Sequence, residues 1–417
     1  MTKNGRAATL VVFIFLTVAV AACSGRPGPT GPRGETGPQG PPGPTGQEGP
    51  TGARGAAGQD GVSFTPPALI GSAGCANCHQ AYVDTFARSA HPQALTPVVD
   101  GQAPRFLPSA ARRTPPEGLA WADIAYVVGG VEWKALFVGN DGNLITGEAA
   151  QFNLDNNQLE AGNEFVAYHA GQTVPFDCAA CHATGYSSRG NQDDRPGMVG
   201  TFAQPGVQCE ACHGPGSLHA NNPRAFSMEI SRDAAACRAC HMTGDVVAAD
   251  GFIQHTTHEY GDLFPGKHAL IDCVDCHDPH AGVVAPRAAR QPFLRATCEG
   301  CHFRQAQVEK IHVRIRVDCV RCHMPQLIQN AIGVPTSFMA DVQTHQVIIN
   351  AEQIGQFAED GRILPQLGLD TACRQCHNSE LGIGPALTDE TLLAAAEGYH
   401  EPEPTAVPIE AGATTAP

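Results

Sequence analysis

The chain has 417 residues, with 46 Gly, 33 Pro and 17 Cys against 2 Trp and 6% aromatic residues, poor material for one large conventional core. So many thiols do not suit a reducing cytosol, and the composition points to an exported protein with disulfides, metal sites or covalent cofactors. A net charge of −15 argues against nucleic acid as a partner and against electrostatic docking on an anionic membrane.

In chain order, Lys3 and Arg6 form a short cationic region, followed by an apolar or small-residue stretch from Ala7 to Val20. That stretch is too short to span a bilayer and suits a signal sequence. It closes on Ala21-Ala22-Cys23, which resembles the lipobox of bacterial lipoproteins, in which the thiol takes a lipid and becomes the new N-terminus. Cys23 is also the one Cys outside every motif below. Residues 1–22 are therefore expected to be a lipoprotein signal peptide and Cys23 the lipidation site. Several acyl chains on one residue anchor far more firmly than one.

From Gly25 to Gly61 every third residue is Gly, with Pro frequent in the next position, as at Pro29, Pro32, Pro38, Pro41, Pro44 and Pro50. Three polyproline II strands wind so tightly that only Gly fits at their axis, and a flexible linker would need no such strict period. Residues 23–63 are thus expected to be a lipid-anchored collagen-like stalk of roughly 110 Å that makes the protein a homotrimer.

Every remaining Cys falls in Cys-x-x-Cys-His. The motifs, numbered I to VIII, are Cys75/Cys78/His79, Cys178/Cys181/His182, Cys209/Cys212/His213, Cys237/Cys240/His241, Cys273/Cys276/His277, Cys298/Cys301/His302, Cys319/Cys322/His323 and Cys373/Cys376/His377. This is the attachment pattern of haem c. The two thiols bond the porphyrin edge while the adjacent imidazole reaches the iron. A zinc site or a disulfide framework gives no reason for His after each pair. Eight covalently attached haem c groups are expected, with the eight motif His as proximal ligands.

The second axial position separates electron carrier from enzyme, because an iron with two strong ligands has no place for substrate. Ten His lie outside the motifs. His91, His169, His219, His258, His268, His280, His312 and His345 are the expected distal ligands. His255, close beside His258, and His400, in a Pro/Glu-rich tail, are the expected surplus. Met242 and Met324 directly follow proximal His residues and cannot easily reach over the same ring.

Around the first three motifs the sequence resembles the cytochrome c-554 family of multihaem cytochromes. The likeness rests on Thr85-Phe86-Ala87-Arg88-Ser89-Ala90-His91 after motif I, Phe176-Asp177 before motif II and Gly185-Tyr186 after it, and Gly214-Pro215-Gly216 with His219 after motif III. The resemblance implies that His91 and His219 ligate haems other than their own. Cys273 to His280 and Cys319 to Pro325 look like segments shared with nitrite reductase and hydroxylamine oxidoreductase relatives. The Cys-x-x-Cys-Lys motif of the catalytic haem in some of those enzymes is absent.

The expected fold is mainly α with many loops: an octahaem cytochrome c domain over residues 64–385 with a small β-hairpin insertion at about 121–160. Asn140-Asp141-Gly142 reads as its turn, and the insertion serves packing or partner docking. Residues 386–417 read as a disordered acidic tail, apart from one short helix at about 389–398. The leading functional expectation is an exported, envelope-anchored cytochrome that passes electrons along mostly bis-His haems to other redox proteins or an extracellular acceptor. The alternatives are an octahaem oxidoreductase acting on nitrite, hydroxylamine or a sulfur oxyanion at one five-coordinate haem, or a structural filament of stacked haem units.

Overall fold

The structure, a computed structural model, describes residues 66–104, 114–242, 247–254, 259–263, 266–308, 311–379 and 383–401. Cys23, the collagen-like repeat, His255, His258 and the end of the acidic tail lie outside the described residues. The described residues belong to one compact unit, Phe64–Pro417. Among them no helix is long and apolar enough to cross a membrane.

The first sheet is built from β1 (Leu95–Pro97), β2 (Ile124–Gly129), β3 (Lys134–Gly139), β4 (Asn143–Leu144), β5 (Gly147–Asn153), β6 (Glu164–Tyr168) and β7 (Val174–Pro175). Its order is β1-β2-β3-β4-β7, with β5 pairing both β3 and β6. Aromatic and β-branched residues explain why β2 and β3 form. Tyr126, Val128 and Val138 pack with Leu95, Phe176 and Met198 in one cluster. Val127 and Phe137 pack with Phe152 and Leu154 in another. Both faces are covered, so β2 reads as an unbroken apolar run instead of an alternation. The Asn140-Asp141-Gly142 turn joins β3 to β4, with Gly142 at φ +87 and a Cβ there 2.5 Å from the Met198 nitrogen.

β8 (Ala183–Thr184) and β9 (Gln204–Pro205) form a small ladder. A second sheet runs β10 (Val247–Ala249), β11 (Phe252–Gln254), β12 (Gln326–Val334) and β13 (Met339–Gln343), with β11 and β12 parallel and the rest antiparallel. Ile253, Leu327, Ile328 and Leu367 make its core.

The strands are therefore more extensive than one hairpin in a mainly α module. The expected 121–160 insertion is the middle of a sheet spanning residues 95–175. Its outer strands are only two to seven residues long, too short to show a period in the sequence.

Helices carry the motifs. The longest, α1 (Gly71–Phe86), bears motif I and kinks at His79. The others are about one or two turns: α2 (Ala179–His182), α3 (Cys209–His213), α4 (Ala235–His241), α5 (Cys273–Cys276), α6 (Cys298–Cys301), α7 (Cys319–His323) and α8 (Leu369–Cys373). In the acidic tail, α9 (Asp389–Ala396) confirms the expected short helix.

Both Trp residues pack. Trp121 lies 6.1 Å from the Phe137 ring, and Trp133 Nε1 donates to the Asp341 carbonyl at 3.1 Å. The first sheet thereby docks on an irregular stretch of β12, where Lys134 Nζ also donates to the Asn330 carbonyl at 2.7 Å. The buried Asp341 carboxylate braces this stretch by accepting from the backbone N–H groups of Asn330, Ala331 and Ile332 at 2.8, 2.7 and 3.0 Å. Asp341→Ala orphans all three donors and is expected to cost about 3 kcal/mol or more. Asp341→Asn should cost less. Thermal denaturation of the two variants against the parent measures the difference, and equal melting for all three would contradict this bracing role.

Candidate haem centres

In motif I the His stands at the kink in the middle of α1, the other motif helices carry theirs in the last turn or beyond it, and a second imidazole from elsewhere in the chain faces seven of the eight. His79 faces His219 at 6.3 Å between ring centroids, His241 faces His91 at 6.3 Å, and His213 faces His280 at 6.1 Å. His277 faces His345 at 6.2 Å and His302 faces His268 at 5.9 Å. His323 faces His400 at 5.9 Å and His377 faces His312 at 5.7 Å. Two imidazoles gripping one iron from opposite sides place their centroids roughly 6 Å apart, since each nitrogen sits about 2 Å from the metal. The residues present thus fit bis-His haem.

Hydrogen bonds at the other ring nitrogen agree. Nδ1 of His213 lies 2.7 Å from the Glu229 carbonyl, that of His219 2.7 Å from Phe226, that of His323 2.8 Å from Val347 and that of His377 2.9 Å from Pro385. A carbonyl can only accept, so Nδ1 carries the proton and the Nε2 lone pair is left for the iron. Burial pushes His91, His268, His280 and His312 below the usual imidazole pKa, reinforced in each by a facing imidazole. The neutral form this favours is the ligating form.

Apolar side chains stand open beside these pairs. Leu270 is 91% exposed two residues from His268, and Ile230 is 78% exposed next to the carbonyl that holds His213. Such surfaces are what a porphyrin covers.

The attachment thiols are unevenly enclosed. Cys78, Cys212, Cys301 and Cys319 are exposed, and the other motif thiols are half-buried. In motif I the contrast falls within one pair. Cys75 turns toward motif III, where burial and the nearby Cys209 push its thiol up to about 11, whereas Cys78 stands open on the surface of α1. The protein gives Cys78 no cover of its own, and a thioether-bonded porphyrin would supply it.

One expected distal ligand and one expected surplus His stand otherwise than the sequence reading put them. His169 lies exposed just after β6, with its ring edge-on to Tyr168 at 4.5 Å. Among the described residues no motif imidazole faces it. His400, expected to be surplus, faces His323. The Pro/Glu-rich surroundings of His400 read as a solvated tail, and nothing in them signals that α9 turns the chain back onto the domain. His182 is held by the Ala94 carbonyl at 3.0 Å from Nδ1, and no second imidazole faces it among the described residues.

The motifs also touch one another. Motif I meets motif III, where Ser72 Oγ lies 3.3 Å from Cys209 Sγ. Cys212 neighbours Cys237, joining III to IV. Cys273 neighbours Cys237, joining IV to V. Cys276 neighbours Cys298 and Cys301, and Cys298 neighbours Cys319, carrying the line through VI to VII. Cys322 adjoins Cys373 and Cys376 of VIII, where burial and those thiols push it up to about 11. Motif II adjoins the line at IV, with Cys181 Sγ 3.8 Å from the Ala239 carbonyl.

Sequence reasoning missed Glu210, inside motif III. Its buried carboxylate accepts from the Ile70, Gly71 and Gly216 N–H groups at 2.9, 2.8 and 2.7 Å. It neutralises the open donors at the N-terminus of α1 and pins motif I against motif III. Any x position of Cys-x-x-Cys-His looks interchangeable in one sequence, so nothing marked it.

The comparisons agree with this picture. Residues 149–214 match the cytochrome c554 and c-prime family, and residues 22–74 match the collagen triple helix repeat. The collagen match runs into residues that the structure places in α1, which starts at Gly71. A multihaem cytochrome MtrA of Shewanella baltica is 24% identical, over 30% of this chain and 51% of that protein, so the chain spans about half the length of the curated relative it matches. Among solved structures, the octahaem sulfite reductase MccA of Wolinella succinogenes superposes with a TM-score of 0.55 at 16% identity, over 82% of this chain and 73% of that one. The undecahaem cytochrome from the S-layer of Carboxydothermus ferrireducens reaches a TM-score of 0.44 at 19% identity, over 70% and 53%.

Intact mass and haemochrome absorbance are expected to give eight haems per chain, and seven after Cys178→Ser with Cys181→Ser. A parent value below eight would refute attachment at every motif. Motif chemistry, facing imidazoles and these likenesses together make the chain similar to multihaem c-type cytochromes, with a collagen-like N-terminal segment.

Proposed function

We propose that the protein is an exported electron carrier in which eight haem c groups form a relay, held away from the membrane on a lipid-anchored trimeric stalk. The observation that carries this is the seven facing imidazole pairs, which leave little room for substrate at those irons. Bound haem supplies reversible ferric/ferrous exchange at low potential. The protein's own part is to hold each imidazole in one tautomer and to set neighbouring motifs side by side. Contacts from I through III, IV, V, VI and VII to VIII define a continuous line, since electron tunnelling falls steeply with edge separation. Cys23 anchors the chain, and the Gly period supports trimerisation.

A second reading rests on His182. With no imidazole facing it among the described residues, motif II is the position for a five-coordinate, reactive haem, joined to the line at IV. EPR of the oxidised protein separates the two readings. The relay is expected to show only low-spin ferric signals, and the dithionite-reduced protein should not turn over nitrite, hydroxylamine or sulfite. A stoichiometric high-spin haem with turnover of any of these would replace the relay by the enzyme.

The stalk has its own test. Sedimentation of the full chain should give a trimer that Gly43→Asp disrupts, because a side chain at the triple-helix axis has no room. A monomer in both proteins would sink the triple helix.

A further inference from the structure

We propose that Tyr399-His400 is an axial-ligand strap: His400 supplies the second imidazole at motif VII, and Tyr399 orients His312, the second imidazole at motif VIII. This rests on the bis-His relay proposed above.

The dipeptide is delivered by an anchored element. Thr388 caps α9, its Oγ accepting from the Thr391 N–H at 3.3 Å. Leu392 is 2% exposed. Asp389 pairs with Arg374, which directly follows Cys373 of motif VIII. Beyond the helix, Gly398 takes φ +59, a left-handed conformation that side chains resist. The Glu401 N–H closes the turn on the Gly398 carbonyl at 2.8 Å. That reversal brings the two side chains back onto the haem motifs.

There they do different work. His400 lies 5.9 Å from His323 with the rings only 25° apart, the spacing of the other facing pairs. Tyr399 Oη is 2.6 Å from His312 Nδ1, while His312 Nε2 is 3.4 Å from His377 Nε2. A proton on Nδ1 donated to the phenol oxygen leaves Nε2 of His312 for the iron, the part that carbonyls play for other rings in this chain. Tyr399 is thus a positioning residue and His400 a ligand. One short segment sets the outer coordination of the last two irons, and its release would open the motif VII iron to a small external ligand.

The test uses the full-length holoprotein. His400→Ala is expected to retain eight haems, convert one of them from low-spin to high-spin in EPR, and return to the parent spectrum on addition of imidazole. His400→Met should keep that haem low-spin and raise its midpoint potential. Tyr399→Phe should leave every haem low-spin and shift the potential of one. A His400→Ala protein with eight haems and no high-spin signal, or a His400→Met protein with unchanged potentials, would overturn the assignment. Failure of the relay itself would be read elsewhere, in an unmutated protein that lacks eight haems.

Discussion

The rest of this structure depends on one demand: two imidazoles from distant parts of the chain must meet about one iron's width apart. His79 waits for His219 and His91 for His241, so motif I is tied twice to sequence that follows motif III. Closing loops of that length costs conformational entropy, which iron ligation and porphyrin burial offset. The same demand keeps most motif helices short. A Cys-x-x-Cys-His unit fills about one turn, after which the chain must leave to present a ring to another motif.

Such a core is only partly made of protein. The dry apolar clusters sit on the two sheets, around Phe137 and Phe176 in one and Ile253 and Leu367 in the other. The motif segments hold few buried side chains of their own, and Cys78 on α1 is exposed. Between these regions, buried carboxylates act as backbone braces. Asp341 holds the irregular stretch of β12 on which the first sheet docks, and Glu210 holds the entry to α1 against motif III. Each accepts three backbone N–H groups, which is how a charge is tolerated away from water.

The line of touching motifs gives the arrangement its functional sense. Motif order in space follows motif order in sequence from III to VIII, whereas I joins at III and II joins at IV. Motif II differs again in lacking a facing imidazole among the described residues. Motif II thus stands beside the line of contacts that joins the other seven motifs.

Covalent chemistry was legible from the sequence alone. Cys-x-x-Cys-His is the pattern of haem attachment within five residues, Gly at every third position is the pattern of the collagen repeat, and both are local rules that need no fold. The short helix in the acidic tail and the Asn140-Asp141-Gly142 turn were legible for the same reason. Tertiary structure alone decided what depends on distance through space: which His faces which, that His400 faces His323 while His169 meets Tyr168, that Cys75 is half-buried while Cys78 is exposed, and that Tyr399 reaches His312. It also decided that strands of two or three residues join a sheet, because such strands exist through their neighbours and leave no period of their own.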